Sequence, residues 1–346
     1  MSYLPRFVDL ATQVGPGRPT PTLAFVIPCF NEEAALPILL RRLSILSEEL
    51  AATGRSQGLA RIVLIDDGSQ DGTWRLIQDA TRAHNVTGIR LSRNHGHQRA
   101  LLAGLMQADA DVVISMDADL QDDPGAVPDM LDAYARGSEI VFGVREARDA
   151  DTPFKRTSAR AYYGLLSWLG VDLVPDHADF RLMSRKALAT LAGFEETNLF
   201  LRGMIPQLGF ATETVVYDRG ARSAGESKYP LGKMLALAIE GITSFSIKPL
   251  RLIALLGALV AGLAFALLFY SLAAWMAGRT IDGWTSTVLP IYLLGGTHLV
   301  ALGVVGEYIG KIYQEVKRRP RFIIDETVTA APAGVAFHKQ LVGSDA

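Results

Sequence analysis

Apolar and polar positions alternate in blocks along the first two thirds of the chain, and the period changes from block to block. Leu23–Ile27 is a short unbroken apolar run that stops at Pro28. Ile62–Ile65, Gly88–Leu91, Val112–Met116 and Glu139–Gly143 have the same character. Runs of this length and continuity suit strands buried on both faces. Between them the period becomes helical. Asn31–Leu50 carries Leu36, Leu39, Leu40, Leu43 and Leu46 on one side, and Thr73–Ala83, Gln98–Ala108 and Val127–Ala135 also read as helices. Strand–helix alternation predicts an α/β fold, a mostly parallel sheet with helices on both faces.

The pattern changes after Pro249. Leu252–Ala277 holds 26 residues without a charge, and Gly283–Gly306 holds 24. As helices they would reach ~39 and ~36 Å, enough for a ~30 Å hydrocarbon core. Two membrane spans are expected, at 249–278 and 283–310. Lys248 and Arg251 precede the first, while Lys311, Lys317, Arg318, Arg319 and Arg321 follow the second. The positive-inside rule then places the large domain and both termini in the cytoplasm, making the chain a multi-pass inner-membrane protein. Leu231, Met234, Leu235, Ala238, Ile242 and Phe245 are spaced as on an amphipathic helix lying at the membrane, over 231–248. Ala258, Gly262 and Ala266 form a small-residue seam, as do Gly306 and Gly310, which suits helix association. The remaining parts are a loose leader at 1–21, a globular domain at 22–230, and a basic segment and tail at 311–346. From Glu326 the tail is expected to be mobile.

Composition narrows the function. Net charge is −2, so no nucleic-acid partner is expected. A single cysteine, Cys29, excludes a disulfide scaffold. No GxGxxG follows the first strand and no P-loop is present. His95 and His97 offer two imidazoles with no third ligand close in sequence, so no metal is expected there. Asp117-Ala118-Asp119 is more telling. Two carboxylates emerge together at a strand end, with Gln121 as a further oxygen donor, and hard oxygens suit Mg²⁺ or Mn²⁺ on a diphosphate. Asn31-Glu32 and Asp66-Asp67 also end strands, which points to one site beyond the carboxyl edge of the sheet.

Four segments carry a resemblance: Phe25-Val26-Ile27-Pro28-Cys29-Phe30-Asn31-Glu32-Glu33, Ile65-Asp66-Asp67-Gly68-Ser69-Gln70-Asp71-Gly72, Leu91-Ser92-Arg93-Asn94-His95-Gly96-His97 and Met116-Asp117-Ala118-Asp119-Leu120-Gln121-Asp122. They resemble family 2 glycosyltransferases of the GT-A (Rossmann-like) fold. Gly225-Glu226-Ser227-Lys228-Tyr229 and Gly306-Glu307-Tyr308-Ile309-Gly310 are similar to the polyprenyl-phosphate branch, which includes bactoprenol glucosyltransferases and dolichol-phosphate mannose synthase. No arginine precedes any tryptophan, so the QxxRW motif of processive synthases is absent.

The resemblance implies a metal-dependent, inverting hexosyltransferase. Its nucleotide-sugar contacts would be Pro28, Phe30, Glu32, Asp67, Arg93, Asp117, Ala118, Arg222 and Lys228. Mg²⁺ or Mn²⁺ would sit on Asp117, Asp119 and Gln121, and the lipid phosphate on Arg145, Lys155, Arg156 and Arg160. Asp119 and Asp179 would be the catalytic carboxylates. Asp179 matches an acidic residue proposed as a base in the family. A phosphate monoester has its second pKa near ~6 and is already mostly a dianion at pH 7. Asp179 is therefore expected to orient the acceptor or sugar, or to stabilise charge on the ring. The resemblance further implies UDP-glucose as donor and undecaprenyl phosphate as acceptor, with a product used for envelope glycosylation. GDP-mannose, a UDP-aminoarabinose-type donor or a diacylglycerol acceptor are the alternatives. Membrane lipid, a homo-oligomer (a tetramer is one candidate) and a separate flippase would be partners.

Overall fold

The computed structural model describes residues 18–82, 85–119, 121–145, 177–197, 199–217, 248–277 and 284–329. Its frame is an eight-stranded sheet in the order β7-β5-β6-β4-β1-β2-β3-β8. The strands are β1 (Leu23–Cys29), β2 (Arg61–Asp66), β3 (Val86–Leu91), β4 (Val112–Ser115), β5 (Ile140–Arg145), β6 (His177–Ser184), β7 (Thr212–Tyr217) and β8 (Ile324–Thr329). β1, at the centre, is buried at all seven positions because helices cover both faces. The helices are α1 (Leu36–Ala52), α2 (Thr73–Ala80), α3 (His97–Gln107), α4 (Val127–Ala135), α5 (Arg185–Ala192), α6 (Leu201–Gln207), α7 (Lys248–Met276) and α8 (Trp284–Val316).

Two apolar clusters separate the layers. Leu39 and Leu43 of α1, Ile77 of α2 and Met130 of α4 pack with Phe25 and Ile27 on one face. Leu101 and Leu105 of α3, Leu188 of α5 and Met204 of α6 pack with Val26 and Ile65 on the other. Gly104 lets α3 lie directly on the sheet, since a Cβ there would come within 2.4–2.5 Å of Ile65 and Val26.

The strand order reverses at β1. The chain leaves β1 through α1 to β2 on one side, while α3 delivers β4 to the other. The pairing of β1 with β4 ends at Val26–Ser115, whereas that with β2 continues to Cys29–Asp66. Pro28 falls where β4 has already parted. Val26 and Pro28 point their backbone polar groups the same way, so the N–H that Pro28 lacks would have faced the gap. The gap is the crevice where such sheets bind ligands.

Several expectations need correction. The sheet is mostly parallel as expected, but β6 runs antiparallel to β4 and β5, and β8 antiparallel to β3. The start of the tail expected to be mobile from Glu326 instead belongs to β8, which covers the open edge of β3, while 330–346 lie outside the described residues. Exposed edges invite such pairing. The first helix starts at Leu36 rather than Asn31, because Asn31–Glu33 are bonded to the loop between β2 and α2 and to the first residue of α2. The leader expected at 1–21 and the amphipathic helix expected at 231–248 fall almost wholly outside the described residues.

Helices α7 and α8 lie where the two spans are expected and touch each other. Among the described residues no helix is long and apolar enough to cross a membrane, so the spans themselves are not shown. What is present is a pair of helices with uncovered apolar side chains, among them Leu259, Leu263, Phe269, Leu299, Val300 and Leu302.

Candidate active site

The crevice opens into a cleft of about 670 Å³ lined by the ends of β1, β2, β4 and β6 and by the starts of α3 and α6. Its near wall is a bonded loop pair. Asn31 donates its backbone N–H to Ser69 Oγ (3.0 Å) and accepts the Gln70 N–H on Oδ1 (2.8 Å). Glu32 N–H donates to Thr73 Oγ1 (2.8 Å), and Gly72 N–H to Glu33 Oε2 (3.0 Å). These ties hold the Glu32 carboxyl at the cleft. Burial, and then Asp119, Asp117 and Asp71, push its pKa up.

Asp67 is buried at the floor. Its Oδ1 accepts the His95 N–H (2.7 Å) and its Oδ2 the Gly96 N–H (2.9 Å). It therefore ties the end of β2 to the start of α3, which places His97. Gly68 is required beside it: its φ is +73°, and a Cβ would lie 2.7 Å from Arg93 C and Asn94 N.

Asp117 and Asp119 follow β4. Asp119 Oδ1 accepts the Gln121 N–H (3.1 Å), closing the turn. Asp122, fully buried, accepts from the Tyr217 hydroxyl and from the Asp117 N–H. Asp117 Oδ1 is buried without a hydrogen-bond partner. Burial first, then Asp122, Asp179 and Asp119, raise the Asp117 pKa to about 6, against the opposing pull of His97. Among the described residues this oxygen makes no hydrogen bond and faces only His97 Nε2 at 3.5 Å, and a buried carboxylate oxygen so placed, among other carboxylates, suits a hard divalent cation.

The far wall has the opposite charge. Asp179 on β6 is the hub of a cationic group. Arg181, 0 % exposed, donates to its Oδ1, and Arg202 donates Nε to Oδ1 (3.4 Å) and Nη2 to Oδ2 (3.2 Å). His97 Nε2 lies 3.1 Å from Asp179 Oδ2 and 3.5 Å from Asp117 Oδ1. Burial favours the neutral acid, but the His97 hydrogen bond and both guanidiniums outweigh it and hold Asp179 well below the usual carboxylate range. A carboxylate so stabilised is a weak base. His97, Asp117 and Asp179 place their ligand atoms within 4.8 Å of one another, a second possible cation-holding group. The two arginines already neutralise Asp179, so the Glu32–Asp117–Asp119 side is electrostatically better suited to a cation.

Of the residues named from sequence, the cleft brings together Pro28, Phe30, Glu32, Asp67, Asp117, Ala118, Asp119 and Asp179. Gln121 is 2 % exposed and does not line it. Arg93 is exposed and donates to the Asn94 carbonyl. Arg145 ends β5, with its side chain outside the described set, while Lys155, Arg156, Arg160, Arg222 and Lys228 lie outside the described residues. Sequence reasoning missed Arg202, Phe200 and the role of Arg181. It set His97 aside for want of a third ligand, and the fold supplies Asp117 and Asp179 as neighbours. The clue to Arg181 was its place two residues after Asp179; Arg202 had none.

The family described as "Glycosyl transferase family 2" matches residues 24–192. The uncharacterized glycosyltransferase YkoT of Bacillus subtilis is 46 % identical over 315 residues, covering 88 % of this chain and 91 % of that protein. The bactoprenol glucosyl transferase of Shigella phage SfII is 36 % identical, covering 90 % and 99 %. A prophage bactoprenol glucosyl transferase homolog of Escherichia coli is 37 % identical, covering 87 % and 98 %. With likeness of this extent running through the carboxylate-lined crevice of a GT-A-like α/β fold, the chain is a glycosyltransferase and belongs to glycosyl transferase family 2.

Proposed function

We propose that the chain transfers one sugar, with inversion, from a nucleotide-sugar to polyprenyl phosphate at the cytoplasmic face of the membrane. UDP-glucose and undecaprenyl phosphate lead as substrates. The observation that carries the reading is the split cleft: carboxylates Glu32, Asp117 and Asp119 on one side and the Asp179–Arg202–Arg181–His97 group on the other. Relatives named bactoprenol glucosyl transferase along nearly the whole chain support the acceptor.

Asp117 and Asp119 would hold Mg²⁺ or Mn²⁺, while Gln121, expected as a further oxygen donor, is buried off the cleft and is not counted among the ligands. The metal would neutralise the departing nucleoside diphosphate. Pro28, Phe30, Glu32 and Asp67 would hold the nucleoside. Asp67 keeps a lone pair on each oxygen beyond its backbone bonds. An acceptor phosphate oxygen attacks the anomeric carbon, forming a new C–O bond as the bond to the diphosphate breaks on the opposite face. No proton needs removing from a phosphate dianion, and the weak basicity of Asp179 suits that chemistry. A diacylglycerol hydroxyl would need a base, a role for which Asp179 is poorly suited. GDP-mannose and an aminoarabinose-type donor are the alternative donors, since among the described residues none selects the sugar on chemical grounds. Arg145, Lys155, Arg156 and Arg160 would meet the lipid phosphate, and Arg93, Arg222 and Lys228 the donor.

The uncovered apolar faces of α7 and α8, flanked by Lys248, Arg251 and the basic residues after Gly310, support burial of this pair in lipid with the domain inside the cell. Association into a homo-oligomer and hand-over of product to a separate flippase belong to the same reading. A lipid panel tests it. Label from UDP-glucose is expected to enter undecaprenyl phosphate and not diacylglycerol; the reverse would overturn the acceptor assignment.

A further inference from the structure

We propose that Glu315 and Arg321, at and just beyond the end of α8, are positioning residues for the lipid acceptor. This rests on the polyprenyl-phosphate reading and extends it. The cleft runs along the sheet order, from Asp67 after β2, past Pro28 and Glu32 at β1 and Asp117 and Asp119 at β4, to Asp179 on β6. Beyond Asp179 its last wall is Leu199, Phe200 and Arg202, at the start of α6.

That wall is tied in two directions. Leu201 N–H donates to Gln98 Oε1 on α3 (2.9 Å), next to His97. Thr197 N–H donates to Glu315 Oε2 (2.8 Å), and Arg321 Nη1 donates to the Phe194 carbonyl (2.6 Å). Phe194 and Leu199 pack in the same apolar cluster as Phe322 and Ile324, which follow α8. The helix with the uncovered apolar face is thus joined to the sugar-transfer end of the cleft.

A lipid phosphate presents two unlike groups. Its tail needs an apolar surface of the kind α7 and α8 expose, while its phosphate must reach the anomeric carbon near Asp117 and Asp179. The Leu199–Phe200–Arg202 wall borders that end of the cleft and is fastened to α8. Glu315 and Arg321 therefore fix where the tail's surface meets the phosphate's destination. The donor enters at the β1–β2 end and gains nothing from this tie.

The test uses the full chain in lipid nanodiscs, with UDP-glucose and undecaprenyl phosphate varied separately. Losing one such hydrogen bond in Glu315→Ala or Arg321→Ala is expected to raise KM for the lipid about tenfold. KM for UDP-glucose stays at the wild-type value, and the thermal midpoint falls by no more than about 2–6 °C. Glu315→Gln keeps an acceptor oxygen for Thr197 and restores the lipid KM. An unchanged lipid KM in both alanine variants overturns the inference. So does an equal loss toward both substrates accompanied by a lower thermal midpoint, or a Glu315→Gln variant as impaired as Glu315→Ala. Wild type that labels no lipid overturns the acceptor reading itself, and this inference with it. Wild type that labels lipid, with normal variants, overturns this inference alone.

Discussion

Asp179→Ala is the most informative single change because the structure gives its cost and its cure. The Asp179 side chain is 4 % exposed and Arg181 is 0 % exposed. Among the described residues Arg181 Nε and Nη1 have no hydrogen-bond partner, so Asp179, ahead of Asp117, is the main group that compensates its charge. Removing one member of a buried pair leaves the other as an uncompensated charge, at about 3–5 kcal/mol. At roughly 2–4 °C per kcal/mol for a domain of this size, the thermal midpoint should fall by about 6–20 °C. Replacing both residues with apolar side chains is often neutral, so Asp179→Ala with Arg181→Met should recover most of the loss. The pH dependence has a definite sign. The depressed Asp179 pKa means its own contribution is present above its unfolded value and is lost only as pH falls through the folded one, far below neutrality. His97 works the other way. Burial lowers its pKa, but the bond to Asp179 and the Asp117 charge raise it further. Its increment is complete below about pH 6.5 and is lost as pH rises through the raised folded value. In metal-free protein the gap between wild type and Asp179→Ala should therefore narrow as pH rises from 6 to 8. Thermal unfolding in detergent, followed by circular dichroism, reads both effects. A single variant within about 1 kcal/mol of wild type, or a double variant no better than the single, would refute the reasoning.

Other changes test separate parts of the account. Gly68→Ala forces a Cβ against Arg93 and Asn94 at positive φ, and should cost about 1–3 kcal/mol in a denaturant titration. Cys29 is fully buried, and burial, then Glu32 and Asp66, push its thiol pKa far up. It should resist iodoacetamide until the protein unfolds, and rapid labelling of native protein would contradict its packing. Ending the chain at Arg321 removes β8 and exposes the β3 edge, which should lower the thermal midpoint and promote aggregation seen by light scattering. Chelation with EDTA should abolish sugar transfer and Mg²⁺ or Mn²⁺ restore it; full activity in EDTA would refute the metal assignment.

The central strands were legible because a strand covered on both faces must be continuously apolar, as β1 is. β6 was hidden because two buried charges, Asp179 and Arg181, interrupt it and pair with each other and, for Asp179, with the distant His97 and Arg202. β8 was hidden because an edge strand needs few apolar positions, and Asp325 and Glu326 face outward. The first helix was set too early because Asn31 and Glu32 have helix-compatible neighbours in sequence but are held by Ser69, Gln70 and Thr73. In the site, the carboxylates at strand ends were readable because a parallel sheet brings strand ends together. Arg202 was not, because it reaches Asp179 only through the packing of α6. Asp67 was readable as a site residue but not as the tie that orders His95 and Gly96, since backbone donors leave no mark in sequence.

The central claim is transfer of one sugar to a polyprenyl phosphate, and one measurement meets it directly. Purified full-length protein with Mg²⁺ or Mn²⁺ and undecaprenyl phosphate is given radiolabelled UDP-glucose, UDP-galactose, UDP-GlcNAc or GDP-mannose in parallel, and label is followed into the organic phase. The account predicts lipid-borne label from one donor, UDP-glucose, and none from Asp119→Ala. Donor hydrolysis without labelled lipid, or label undiminished in Asp119→Ala, would contradict it.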